Sequence, residues 1–137
     1  MSGDTDRGNH AHAWLAKARQ DLARVERCLA CVPSDDEDAL FHCQQAAEKA
    51  LKALLAWHDE PFRKTHDLSV LGAQCAALEP ELSGLFDRLD DLTEYAWIFR
   101  YPGEFAPPPA PEVGDAQELA REIVLQVGRR IDKTSAA

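Results

Sequence analysis

The sequence predicts an all-α protein: an antiparallel, up-and-down helical bundle of four long helices and one short helix. Apolar residues recur at steps of three or four in five segments of the 137-residue chain, as on the core-facing side of a helix. Proline and helix-capping residues stand between these segments, and no segment has a credible strand pattern. Amphipathic helices of this kind pack naturally as an antiparallel bundle.

The first predicted helix runs from about His12 to Val32, and Pro33 ends it. Ser34 with Glu37 then offers a capping box for the second helix, which continues to about His58. The apolar stripe of the first helix consists of Leu15, Ala18, Leu22, Val25, Leu29 and Val32.

The third and fourth helices are predicted from their first residues. Asp67 is a plausible N-cap for the third helix, and Pro80 fits the first turn of the fourth. Pro102 and Gly103 stop the fourth helix. The two apolar stripes consist of Leu68, Leu71, Cys75 and Leu78 in the third helix and of Leu85, Leu89, Leu92, Ala96 and Phe99 in the fourth.

Residues 101–113 hold five of the eight prolines and are predicted to form a semi-rigid extended loop. Asp115 with Glu118 marks the start of the fifth helix. Its apolar stripe consists of Leu119, Ile123, Val127 and Ile131. The predicted organisation is therefore a disordered tail over residues 1–11, one helical domain over residues 12–132 and a flexible end over residues 133–137.

Composition limits the classes of function. A net charge of −9 argues against non-specific binding to DNA or RNA, which needs a broad basic surface, but leaves room for a small basic pocket. No apolar run approaches a membrane span, and the polar N-terminus lacks an apolar signal region, so the prediction is a cytoplasmic protein.

The CxxC pair Cys28 and Cys31 lies inside a helical pattern without a second ligand pair, which favours reduced thiols over a metal site. No nucleotide-loop, hydrolase or metalloprotease motif predicts a cofactor or a catalytic residue.

The second helix has a polar residue on its core-facing side. Gln44 falls within an apolar stripe, so its amide should be hydrogen-bonded across the bundle or to a ligand. Gln45, Lys49 and Lys52 form a separate polar edge of the same helix. The stripe around Gln44 consists of Leu40, Ala47, Leu51, Leu54 and Leu55.

Basic residues follow in the connector to the third helix. Arg63, Lys64 and His66 would make a local phosphate-binding site if they converge with the two lysines of the second helix. Alternatively, those lysines are solvated and Asp67 only caps a helix. At the end of the fourth helix, Arg100 either stabilises the helix dipole or points into the site opposite Gln44.

Aromatic and apolar residues outside the core stripes indicate an interface. Trp97 and Ile98 flank the stripe of the fourth helix, and Trp57 ends the second helix. They predict a homodimer, with packing against the proline-rich loop as the alternative.

Three segments together closely resemble the HEPN domain family (higher eukaryote and prokaryote nucleotide-binding). They are Phe41–Leu55, Lys64-Thr65-His66-Asp67-Leu68 and Arg100-Tyr101-Pro102, and the resemblance covers nearly the whole chain. It implies an α-helical bundle, commonly dimeric, with a role in nucleotide or RNA transactions. Many prokaryotic members are encoded beside a minimal nucleotidyltransferase in toxin–antitoxin-like pairs. Other members are metal-independent RNases whose motif is an Arg followed, after four to six residues, by a His.

The chain departs from this nuclease motif, because residues 101–107 contain no His. The only formal match, Arg7 to His12, lies outside the family's position for the motif. We therefore expect a non-catalytic HEPN module that binds a nucleotide or RNA-like phosphate ligand, or presents it to a nucleotidyltransferase. A protein-interaction subunit, toxin or antitoxin, and an RNase with a rearranged site are the alternatives. By this resemblance the expected ligand-binding residues are Gln44, Gln45, Lys49, Lys64, His66, Arg100 and Tyr101.

Overall fold

The computed structural model describes residues 2–62, 65, 67–90, 92 and 110–136, with the side chains of residues 7–62, 65, 67–90, 92 and 113–132. Within these ranges the protein is all-helical, without strands, and the predicted fold class is confirmed. The helices are α1 (Ser2–Ala30), α2 (Asp36–Trp57), α3 (Leu68–Leu78), α4 (Ser83–Phe86) and α5 (Ala110–Ala136). A 3₁₀ turn over Pro80–Leu82 precedes α4.

Helix α2 lies at the centre of the bundle and packs against α1, α3 and α5. Side-chain pairs show that α1 runs antiparallel to α5, because Glu26 bonds to Arg121 while Arg19 lies near Asp132. The core is mostly aliphatic. Its largest fully buried side chains are Leu15, Val25, Leu40, Leu51, Leu54, Leu55, Leu68, Leu71, Leu89, Leu92, Ile123 and Ile131.

The first helix begins earlier than its sequence pattern predicts. It starts at Ser2 and so includes residues 2–11, for which the sequence predicts a disordered tail. Burial gives the physical reason: Ala11 is fully buried, and a Cβ added at Gly8 would lie 3.7 Å from the Trp57 ring. The first turns of α1 therefore pack against the last turn of α2.

The caps of the next two helices are side-chain oxygens. Asp67 caps α3 as predicted, accepting a hydrogen bond from the Ser69 backbone N–H at 3.0 Å. The cap of α2 is Asp35, not the predicted Ser34, and it accepts from the backbone N–H of Asp38. The Ser34 hydroxyl instead donates to the side-chain carboxylate of Asp36 at 2.7 Å.

The fourth and fifth helices differ from their predicted limits. Instead of one helix from Pro80, the described chain forms the 3₁₀ turn, the four residues of α4 and a turn at residues 87–88, with Leu89, Asp90 and Leu92 helical again. Gly84, in the middle of α4, has low helix propensity. Helix α5 starts at Ala110 and takes Pro111 into its first turn, where a missing N–H costs nothing. No helix in the described ranges is long and apolar enough to cross a bilayer.

Candidate polar site between the first two helices

A buried carboxylate joins α1 to α2. Asp21 is only 1% exposed, yet three donors surround it. From α2, Lys49 Nζ donates to Oδ2 at 2.5 Å and His42 Nδ1 lies 2.9 Å from Oδ1. From α1 itself, Arg24 Nη1 donates to Oδ1 at 3.2 Å. Because the carboxylate bonds to residues 42 and 49 of the neighbouring helix, it fixes the register of the α1/α2 pair.

The charge of Asp21 is maintained by these contacts. Burial by itself raises the pKa of the carboxyl group, but the hydrogen bonds from Lys49 and His42 and the charge of Lys49 outweigh it and lower the pKa below its usual value. An ionised carboxylate only accepts hydrogen bonds, so His42 donates from Nδ1. Its ring is then held with Nε2 directed away from Asp21, on a side chain that is 22% exposed.

A second polar cluster follows the same helix. The Gln44 Nε2 donates to Glu48 Oε1 at 3.3 Å, and Gln45 Nε2 donates to Gln44 Oε1 at 2.7 Å. Lys52 Nζ donates to Glu48 Oε2 at 3.1 Å. Gln44 and Glu48 are 4% and 3% exposed, so α2 buries an amide and a carboxylate side by side.

Two aromatic rings lie beside this cluster. Trp14 of α1 meets Phe62, from the segment after α2, edge to face at 5.9 Å. Lys52 Nζ lies 5.3 Å from the Trp14 ring centroid and 5.7 Å from that of Phe62. Lys17 also approaches Trp14, at 5.8 Å. Cation–π attraction thus adds to the ion pair that holds Lys52 in place.

An open cleft of about 250 Å³ lies where the first turns of α1 meet the end of α2 and the segment that follows it. Trp14 and Phe62 contribute aromatic surface, and the first turns of α1 contribute Arg7 and His10. The remaining lining residues are Ala56, Asp59, Glu60 and Pro61. The cleft therefore combines aromatic surface with both cationic and anionic groups.

Three of the seven expected ligand-binding residues lie among the described residues. Gln44 is buried as the stripe predicts, and the hydrogen bonds described above join it to its own helix. Lys49 is 21% exposed and bound to a carboxylate, so neither it nor the equally paired Lys52 is a solvated surface lysine. The other expected residues, Lys64, His66, Arg100 and Tyr101, lie outside the described residues, as do Trp97 and Ile98 of the predicted dimer interface. The roles of all seven stay predictions.

Sequence reasoning missed Asp21, Arg24 and His42. One signal for them exists in the sequence: Trp14, Lys17, Asp21 and Arg24 are spaced by three and four residues, so they share one side of α1. The same spacing joins the polar residues of α2. Two polar stripes of equal period on consecutive helices predict a polar contact between them.

The cysteines are free thiols. Cys43 faces the core, while His42, its neighbour in sequence, bonds to Asp21 of α1. Burial raises the pKa of both Cys43 and Cys75 to about 12. In the described part of the chain, no group of three or more His, Cys, Asp or Glu side chains is arranged to hold a metal ion.

Comparison with known proteins adds one finding to this geometry. A family model described as the HEPN domain matches residues 11–131, which is most of the chain. The chain belongs to the HEPN family. No curated protein and no solved structure matches it. HEPN membership agrees with the helical bundle and makes the protein a nucleotide- or RNA-related module.

Proposed function

We propose that this HEPN domain binds a nucleotide or RNA-like phosphate ligand without transforming it. The observation that carries the proposal is the cluster around Asp21. Lys49 and Arg24 bring two positive charges to a single carboxylate, and His42 adds a third donor. The cluster therefore has a surplus of positive charge in a protein whose net charge is −9.

Because Arg24 and Lys49 are partly exposed, a ligand can reach their positive charges. The Arg24 side chain is 44% exposed, so its guanidinium can donate to a ligand while keeping one bond to Asp21. The Lys49 ammonium has three donors and uses one on the carboxylate. Phosphate oxygens are the acceptors that such a group of charged donors suits best. The HEPN resemblance adds further ligand-binding residues, namely Gln44, Gln45, Lys64, His66, Arg100 and Tyr101. It also adds a minimal nucleotidyltransferase as partner, a toxin–antitoxin-like pairing and a homodimer. A cytoplasmic location completes the proposal.

Binding can be measured by thermal shift and by calorimetry with ATP, AMP and inorganic phosphate. A ligand at one hundred times its Kd stabilises the folded state by about 2.7 kcal/mol. We expect Arg100→Ala and Arg24→Ala to weaken binding, and Arg129→Ala, an exposed residue of α5, to leave it unchanged. Absence of binding by the wild-type protein, or equal binding by all three variants, would contradict the proposal.

The second candidate is a protein-interaction subunit, toxin or antitoxin, with no small ligand. The observation in its favour is that Gln44 and Glu48 are buried and bonded to residues of their own helix, as expected of groups that hold the bundle together. Gln44→Leu separates the two functions. A loss of stability without a change in nucleotide affinity favours the interaction subunit, whereas a loss of affinity at unchanged stability favours the ligand site.

A third candidate is a metal-independent RNase with a rearranged site that uses His66 and Arg100. It requires cleavage of RNA in the presence of EDTA and its abolition by His66→Ala. Uncleaved RNA after prolonged incubation with the wild-type protein excludes this candidate.

A further inference from the structure

Helices α1 and α2 each carry a polar stripe beside the apolar one. Both stripes advance by steps of three and four residues, so each keeps to one side of its helix. Asp21 contacts His42 and Lys49, and Trp14 contacts Lys52, which shows that the stripes face each other. The stripes consist of Arg7, His10, Trp14, Lys17, Asp21 and Arg24 on α1, and of His42, Gln45, Lys49 and Lys52 on α2. We call the surface between them the α1/α2 groove.

The α1/α2 groove has a net positive charge. Its stripes contain five arginine and lysine residues, and the two carboxylates that pair with them, Asp21 and Glu48, are buried. Acidic residues lie at its two ends, with Asp35 and Asp38 near the end of α1 and Asp59 and Glu60 beyond the end of α2. In a chain with nine more negative than positive charges, this arrangement makes the groove a local site for favourable contacts with a polyanion.

The dimensions of the groove suit a strand. From Arg7 to Arg24, α1 rises by about 26 Å at ~1.5 Å per residue. At ~3.4 Å per nucleotide, that length matches at most about eight stacked nucleotides. A single nucleotide would contact only one or two of the cationic side chains at a time.

The cleft described above lies at one end of this groove. Trp14 belongs to both, and Phe62 provides a second aromatic surface on which a base can pack. Asp59 and Glu60 add carboxylate acceptors for the amino or imino groups of a base edge. Aromatic surface next to a line of cationic side chains is the usual construction of single-strand binding sites.

We propose that the α1/α2 groove binds a short single-stranded polynucleotide, with its phosphates along the cationic stripes and one base in the cleft. This inference rests on the proposed function and narrows the ligand from a nucleotide to a strand. The strand is recognised by its backbone and by stacking, so sequence preference is expected to be weak.

Fluorescence anisotropy with labelled oligoribonucleotides tests the length of the site. We expect affinity to rise from a dinucleotide to about eight nucleotides and then to level off. Binding of AMP as tight as that of the octamer would overturn the inference while leaving the proposed function standing. If neither binds, both fall.

Salt dependence tests the groove itself. Each phosphate contact contributes about −0.7 to the slope of log K against log salt for single strands. Lys17→Ala with Arg24→Ala is expected to reduce the slope by about 1.4, and Lys17→Ala alone by about 0.7. The matched control is Arg121→Ala with Arg129→Ala, which removes the same charge from exposed positions of α5 and should leave the slope unchanged. Equal slopes for the groove pair and the control pair would overturn the inference.

A third binding experiment tests whether a base packs in the cleft. Replacing Phe62 with Leu should weaken an octamer about tenfold, and an octamer with an abasic end should be insensitive to the same change. An oligoglutamate of equal charge should bind more weakly than the octamer. Equal binding of oligoglutamate, or an equal effect of Phe62→Leu on both octamers, would reduce the groove to a general polyanion surface and overturn the inference.

Discussion

The α1/α2 contact and the contact of α5 with the rest of the bundle are built differently. Between α1 and α2, the aliphatic core is continued by a buried carboxylate with donors from both helices. The side chains of residues 113–132 that helix α5 contributes to the core are apolar, and most of the charged contacts of this part of α5 are exposed, such as Arg121 with Glu26. The first contact therefore holds one register and offers polar groups to solvent, whereas the second mainly supplies hydrophobic stabilisation.

This difference separates specificity from stability. Aliphatic burial is non-directional, and its free energy scales with the area removed from water. A buried carboxylate adds little net stability, because its desolvation offsets much of the attraction, but it tolerates only one arrangement of its donors. Helix α5 should accordingly matter most for unfolding free energy, and Asp21 for the geometry of the groove.

Ile123→Ala should give the largest loss. The side chain is fully buried, and truncation leaves a cavity in a close-packed core, so we expect a decrease of about 3–4 kcal/mol in the free energy of unfolding. Urea denaturation measures it. Nucleotide affinity, measured well below the melting temperature, should not change. A decrease below ~1 kcal/mol would break the comparison, because α5 would then not supply the main hydrophobic stabilisation.

Asp21→Ala should lower the free energy of unfolding by less, about 2 kcal/mol. Arg24 and Lys49 are partly exposed and can turn toward water once the carboxylate is gone. Its larger effect should be on order, because His42, Lys49 and Arg24 lose their common anchor. NMR spectra should show broadened signals from His42 and sharp signals from α5. Asp21→Asn keeps the shape and one acceptor, and should lie between the wild type and the Ala variant. An unchanged His42 signal in both variants would contradict the anchoring role.

Acid should weaken the α1/α2 contact selectively. The pKa of Asp21 is lowered in the folded state, so its contribution to stability is present above the ordinary value of 3.8 and is lost as pH falls through the folded pKa. The difference in unfolding free energy between the wild type and Asp21→Ala should therefore shrink below about pH 4. A pH series of urea melts for both proteins measures it. A difference that stays constant down to pH 2 would show that the charge of Asp21 does not contribute.

Arg121→Ala should have the smallest effect and lower the free energy of unfolding by at most about 0.5 kcal/mol. Arg121 and Glu26 are 52% and 62% exposed, and exposed ion pairs contribute little in water. Thermal melts at low and high salt give the value, which should fall further at high salt. A loss comparable to that of Asp21→Ala would erase the distinction between the exposed and the buried ion pairs.

The helical core was predictable from periodicity. The stripe of α5 is buried from Leu119 to Ile131, and Gln44 is buried within the stripe of α2, because a repeat of 3.6 residues decides which side chains face inward. The first and last residues of the helices were harder to predict. Ser34 and Asp35 are both good caps, and only the backbone at the start of α2 decides between them.

The polar site was only partly predictable. Lys49 and Gln45 were found because they lie on the same helix as Gln44, but the residue that organises them, Asp21, is on another helix. Its contacts depend on the register between α1 and α2, which the period of either helix alone does not determine. The polar stripe that contains Asp21 was the available signal, but which residues of α2 it contacts follows only from the packing of the two helices.

The alkylation rates of the two buried thiols, Cys43 and Cys75, can be used to measure opening of the bundle. Cys43 faces the interior from α2, and Cys75 donates to the Leu51 carbonyl oxygen from α3. With a pKa of about 12, neither forms a thiolate at neutral pH while the core is closed. Their alkylation must therefore wait for the surrounding helices to separate, whereas the exposed Cys31 reacts without delay. The ratio of these rates reports how often the chain opens around its central helix.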